Sequence, residues 1–390
     1  MKKEQLFIGL ENPPRDAMER SEPVRLSPLR PYVLGDLPAD LSAVSSGRTT
    51  YRELADRQAR LLAALGPHGL IVDSLPEARL IQLDLLFMYG GFLPAGPGEA
   101  PLPLVEAISA QCVKFPSLDR HMSYELLIDV NAGEWARSGD VRVFSEGELG
   151  HLERDFYLGH HLAEPFVRSA FDRLRTLVRE PDTVDTAETL DATVRDLENF
   201  RMHMAQYSKL SKDAFNSFRR YHMGHPGGAR GASGAFMPSV QLLELALLSP
   251  TTEYEVYLDQ SMPYFPTWSR PLISEWRAAS GKGDNVVQAV LNGRLKLDRH
   301  ATAALLAVID KFADFRMVHL GVTRKAIPEA FTQGNAVTKR GISRQTGEAG
   351  ILTDDNLGTS GFSVHNVLTN SVYRLLAARQ SIESLDLKAG

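Results

Sequence analysis

The chain has 390 residues, 43% of them hydrophobic and 23% charged, with a formal net charge of −5. Those fractions describe a folded globular protein long enough for two subdomains, and mild acidity without a Lys/Arg-rich run argues against a nucleic-acid partner. The single cysteine, Cys112, excludes an intramolecular disulfide, a thiolate-rich zinc or iron–sulfur centre, and covalent haem attachment through Cys-x-x-Cys-His.

In chain order, Met1-Lys-Lys-Glu-Gln lacks the apolar stretch of a signal peptide, and no run of about 18 apolar residues follows. A cytoplasmic protein without membrane contact is expected. Residues 1–45, rich in proline (Pro13, Pro14, Pro23, Pro28, Pro31, Pro38), read as an extended arm on the surface. Residues 46–144 read as a small N-terminal domain, helical from Tyr51 to about Leu93. A Pro/Gly-rich loop, FLPAGPGEAPLP, then leads into mixed helix and short extended pieces that include Val141–Phe144, giving the domain minor β content.

Residues 145–390 read as a large helical domain. Ser145 and Glu148 have the Ser-x-x-Glu spacing of a capping box, which would open a long helix. PDTVDTAETLD, 181–191, reads as a linker. Further helices are expected near 186–210, 211–222, 236–248, 267–279, 284–292, 299–327 and 362–380. Period-2 alternation is almost absent, so the fold class is all-α.

Three segments could carry chemistry. In the helix over 298–327, Leu305, Val308, Ile309, Phe312, Phe315, His319 and Val322 recur at three- and four-residue spacing, placing His319 on an apolar stripe. Such a histidine is either a satisfied core residue or a ligand. Arg316, one turn earlier on nearly the same face, needs an anion if it is buried, and Asp310 and Asp314 share its face poorly. A haem would satisfy both, with imidazole on iron and guanidinium on a propionate; otherwise Arg316 lies exposed at the stripe's edge.

The second segment, DAFNSFRRYHMGHPGGARGASGAFMP at 213–238, joins two helices through a glycine-rich loop that suits close approach of backbone to a ligand. Its spacing matches no nucleotide-binding fingerprint. Arg219 or Arg220, just before the loop, could pair with an amino-acid carboxylate or lie on the surface. The third, TDDNLGTSGFSVHN at 353–366, contains a small-residue turn opening a helix, a weak anion-binding feature by itself. His160 and His161 read as a paired exposed position, although either could reach a pocket.

Taken together in this order, the segments resemble the haem superfamily of tryptophan and indoleamine 2,3-dioxygenases. FRMVHLGVTRKAI is similar to the family's proximal helix, and AFNSFRRYHMGH with GGARGASGAF to its substrate-carboxylate helix and glycine loop. YLDQSMPYFPTWSRPLI and LGTSGF resemble its Met-Pro segment and its loop over the substrate. The likeness covers about residues 195–380. It is nearest the pyrrolnitrin-pathway branch typified by monodechloroaminopyrrolnitrin synthase, which rearranges a chlorotryptophan.

The resemblance implies a haem b whose iron is ligated by His319, with Arg316, Phe315 and Gly228 around the cofactor. It implies substrate contacts from Arg219, Ala229, Gly231, Thr359 and Ser360: Arg219 toward a carboxylate, Thr359 toward an ammonium group. Ala229 and the large Arg230 stand where the indoleamine enzyme has Ser, a departure that weighs against plain C2–C3 ring cleavage. The implied activity is a haem-dependent oxygenase of secondary metabolism, taking an aromatic amino acid and dioxygen or peroxide, as a monomer or homodimer. No protein residue is expected to act as nucleophile or base. A true ring-cleaving dioxygenase and a non-enzymatic haem sensor or carrier are the alternatives.

Overall fold

The computed structural model describes residues 27–133, 141–222, 231–326 and 370–389. Helix makes up 77% of them, with no strand among the described residues, so the all-α expectation stands and the minor β content does not appear there. No helix among them is long and apolar enough to cross a membrane.

The supposed arm is helical over its last third. A wide π-type turn, Tyr32–Asp36, runs into α1 (Leu37–Ser45) and buries Leu29, Val33, Leu37 and Leu41. Pro38 lies in the first turn of α1, where a missing N–H costs no hydrogen bond. Proline content there marks a helix start instead of an extended chain. Helix α2 (Tyr51–Gly69) opens with a reciprocal capping box: Thr50 Oγ1 accepts from the Glu53 amide at 3.2 Å, and Glu53 Oε2 accepts from the Thr50 amide at 2.8 Å. Helix α3 (Leu75–Gly90) is buried on nearly every side, as the centre of the N-terminal half. Helix α4 (Leu102–Lys114) packs on α2 and α3, and a nine-residue π-type helix, Glu125–Gly133, leads toward the larger bundle.

The bundle is built on α5 (Gly147–Arg179), 33 residues and about 50 Å long. The expected Ser145–Glu148 capping box is absent. Gly147 turns into the left-handed region at φ 58°, so Ser145 falls outside the cap position. Glu153 does the work instead: its carboxylate accepts the amides of Phe144 (2.8 Å) and Ser145 (2.9 Å) and the Tyr157 hydroxyl (2.7 Å). The 181–191 stretch joins α5 to the next helix as expected, but only its first five residues lie outside that helix. After one 3-10 turn, Asp185 caps the Glu188 amide and starts α6 (Thr186–Ala205).

Helix α6 lies between α5 and α12 (Arg299–Ala326), with α13 (Asn370–Ala389) on the far side of α12. Helix α7 (Lys212–Arg219) contacts both α5 and α12, and α8 (Pro238–Leu247), buried throughout, packs on α5. Helix α9 (Thr252–Ser261), which periodicity missed, precedes α10 (Arg270–Gly281) and α11 (Val286–Leu291). Pairing of Arg379 with Asp310, and of Ser371 and Arg316 with one carboxylate, fixes α12 and α13 as antiparallel.

Candidate functional site

Helix α7 positions the first group. Ser211 caps the Ala214 amide at 3.1 Å, and after Arg219 the chain continues as tight turns, His222 N–H donating to the Arg219 carbonyl at 3.1 Å. This winding sends Arg219 and His222 inward, both buried. Arg220 goes outward: it donates to Ser45 Oγ (2.7 Å) and the Tyr221 hydroxyl (2.9 Å) and lies over the Tyr221 ring. Of the two candidate arginines, Arg219 is the interior one.

An aromatic wall joins α5 to α7. The Phe156 ring lies 4.6 Å from His160, 4.8 Å from Tyr207 and 5.4 Å from Phe218. His160 is buried, which corrects the exposed-pair reading. Its Nδ1 sits 2.9 Å from the Phe156 carbonyl and 2.8 Å from the Tyr207 hydroxyl. With Nδ1–H donating to that carbonyl, Nε2 keeps the lone pair. A Cβ at Gly234 would lie 3.2 Å from this Nε2, so the chain just past the glycine loop closes directly over the imidazole. His161 is half-buried against Gly133.

His222 stacks near Phe218 (6.1 Å), with Tyr157 and Phe144 beyond. The Ala232 backbone lies beside the ring, yet neither ring nitrogen has a hydrogen-bond partner of ordinary geometry among the described residues. His319 lies one turn past Phe315, ring to ring 5.9 Å, partly exposed but with Nδ1 buried and without a partner among the described residues.

All three imidazoles are held neutral. Burial lowers His160 to about 4, burial and the Arg219 charge lower His222 to about 3, and burial with Arg316 lowers His319 to about 3. His160 disfavours a charge on both of the others, so the three share one region between α5, α7 and α12. No group of three or more His, Cys, Asp or Glu among the described residues is arranged to hold a metal ion.

Arg316 is buried, as the apolar stripe implied, but its anion is Glu244 of α8. Burial alone therefore does not require a propionate for Arg316, because a protein carboxylate, shared with Arg374, already pairs with it. Glu244 also accepts from Ser371 (2.9 Å) and Arg374 (2.7 Å) of α13. Burial pushes the Glu244 carboxyl up, but Arg316 and Arg374 outweigh that and hold it below the ordinary range. The Arg316 guanidinium lies over Phe312 and Phe315, and its Nε has no partner among the described residues. Phe315 itself packs 4.5 Å from Phe200 of α6, as a core residue.

The structure puts Arg316, Phe315 and His319 side by side on α12 and Arg219 beside His222 at the end of α7, and Gly231 is buried. Gly228, Ala229, Thr359 and Ser360 lie outside the described residues. Sequence reasoning missed His160 and His222 as members of the cluster. His160 had a signal: Glu153, Tyr157, His160, Glu164, Val167 and Phe171 follow the helical period and are all buried. His222 had none. A scan against protein-family models finds no match, and neither does a search of curated proteins.

Proposed function

We propose that the chain is a haem-dependent oxygenase acting on tryptophan or a related substituted indole-type amino acid, in which His319 would hold the iron of a haem b. The observation that carries this reading is the state of His319. It is a partly exposed imidazole held neutral on the apolar stripe of α12, with Nδ1 buried and without a hydrogen-bond partner among the described residues. A neutral imidazole is the ligating form. The donor set suits single-histidine haem ligation, since the sole cysteine is buried elsewhere, beside Gln82.

A haem bound at His319 would supply activation of dioxygen or peroxide at its iron. The protein's own share is binding and exclusion of water. Phe156, Tyr157 and Phe218 give a flat ring an apolar wall to lie against, and Arg219 provides an interior cation for a carboxylate. His160 and His222, both neutral near pH 7, offer lone pairs and N–H groups without adding charge.

The test is optical. Purified parent protein should show a Soret band that His319→Ala removes; an unchanged band in that variant refutes the ligand assignment. Tryptophan should perturb the band at lower concentration than tryptamine. Arg219→Ala should lose that preference by roughly tenfold to a hundredfold, the range of a charge-assisted pair of about 1.5–3 kcal/mol. Arg220→Ala, pointing outward, should keep it. Equal binding of tryptamine refutes the amino-acid substrate, and a product heavier by two oxygen atoms would assign ring cleavage.

A further inference from the structure

Glu244 is fully buried and carries three donors from two other helices: Arg316 of α12, and Ser371 and Arg374 of α13. Arg374 also donates to the Ser249 carbonyl at 2.7 Å, which pins it beyond the end of α8. Two guanidinium groups therefore share one carboxylate, and among the described residues the knot carries one positive charge more than it has negative. Side-chain exposure is 0% for Glu244, 4% for Arg316 and 16% for Arg374, so solvent screens that charge weakly.

Arg316 precedes His319 by three residues on α12, the spacing at which two side chains on a helix are neighbours. The guanidinium is held in one place by Glu244 on one side and by the Phe312 and Phe315 rings on the other. Its charge is thus presented to the His319 imidazole at a fixed position, and its size there depends on how Glu244 is divided between the two arginines.

We infer that Glu244 and Arg374 are positioning residues for His319, setting through Arg316 the electrostatic potential at its imidazole. Helix α13 is then part of the site's electrostatics as well as its packing. Arg374 draws on the same carboxylate that neutralises Arg316. This inference rests on the haem reading above, and it makes a prediction that packing alone does not. Removing Glu244 makes the surroundings of His319 more positive; removing Arg374 makes them more negative. Both changes loosen the same three-helix junction, so damage alone would move a site property in the same direction in both variants.

The experiment is a spectroelectrochemical titration of the haem-loaded parent, Glu244→Gln and Arg374→Met, with Ser371→Ala as the charge-neutral control. Added positive charge favours the ferrous state, so the midpoint potential should rise in Glu244→Gln and fall in Arg374→Met. It should stay near the parent value in Ser371→Ala. Glu244→Asp should restore much of the parent potential. Shifts of the same sign in Glu244→Gln and Arg374→Met, or no shift in either, overturn the inference and leave the haem reading intact. A parent protein that takes up no haem overturns both. If Glu244→Gln fails to fold, Arg374→Met against Ser371→Ala decides: a potential that does not fall sinks the proposal.

Discussion

Replacing both members of the Asp84–Arg142 ion pair by apolar residues should stabilise the protein, while replacing either alone should damage it badly. Both side chains are completely inaccessible to solvent, Asp84 on α3 and Arg142 just before α5. The carboxylate is met through Arg142 Nε, with Ser27 and the Arg30 charge also beside it, and Arg142 Nη1 and Nη2 have no partner among the described residues. Burial raises the Asp84 carboxyl above its ordinary range in spite of the adjacent arginine. A buried pair with unsatisfied atoms repays its desolvation poorly. Breaking it costs about 3–5 kcal/mol, whereas a well-packed apolar replacement is neutral or gains about 1–4 kcal/mol. At about 2 °C per kcal/mol for a chain of this size, Asp84→Leu should melt about 6–10 °C below the parent, and Asp84→Leu with Arg142→Met about 2–8 °C above it. Thermal melts followed by circular dichroism, with the two single variants closing the cycle, measure this directly. A double variant that melts well below the parent would refute the reasoning, because it would mean that the pair's remaining atoms are satisfied.

The buried histidines and carboxyls pull the pH dependence in opposite directions. His160, His222 and His319 titrate far below 6.5 when folded, so the unfolded chain binds more protons and stability falls as pH drops from 6.5 toward 3–4. Glu153, which burial raises to about 7, does the reverse, adding stability as pH falls from 7 toward 4.5. His222→Phe should therefore flatten the loss below pH 6.5, by about 1.4 kcal/mol for each pH unit. Glu153→Gln should steepen it, and denaturant midpoints between pH 7 and 5 that leave both variants parallel to the parent would contradict this. At Gly90 an added Cβ would lie 2.8 Å from the Tyr221 carbonyl and 2.9 Å from the Phe144 ring. Gly90→Ala should lower stability by about 1–3 kcal/mol, read as a lower denaturant midpoint with unchanged slope; an unchanged midpoint would show that this packing can yield.

Local chemistry was readable where it was periodic. The α12 stripe proved buried at Leu305, Val308, Ile309, Phe312 and Phe315. It becomes partly exposed at His319, where the helix is leaving the core. What stayed hidden depended on distance along the chain. Glu244, 72 residues before Arg316, is an unremarkable acid in PSVQLLELAL, and no pattern says which cation it meets. Prolines misled at α1 because the same residue that breaks a helix interior is welcome in its first turn. The missing Ser145 cap shows the converse: a correct motif fails when a glycine reroutes the backbone two residues later. Helix α9 escaped because its tyrosines and acids mix on both faces.

The Phe87–Phe144–Tyr221 stack, with ring spacings of 4.5 and 5.0 Å, carries a consequence for anyone dividing this chain for expression. Phe87 belongs to α3, Phe144 to the approach to α5, and Tyr221 to the turns that aim His222 inward. A fragment starting at residue 145 would strip the inner side from Tyr221 and leave a greasy face where the N-terminal half had been. A cut at residue 144, the boundary that sequence suggests, would pass through the middle of this stack.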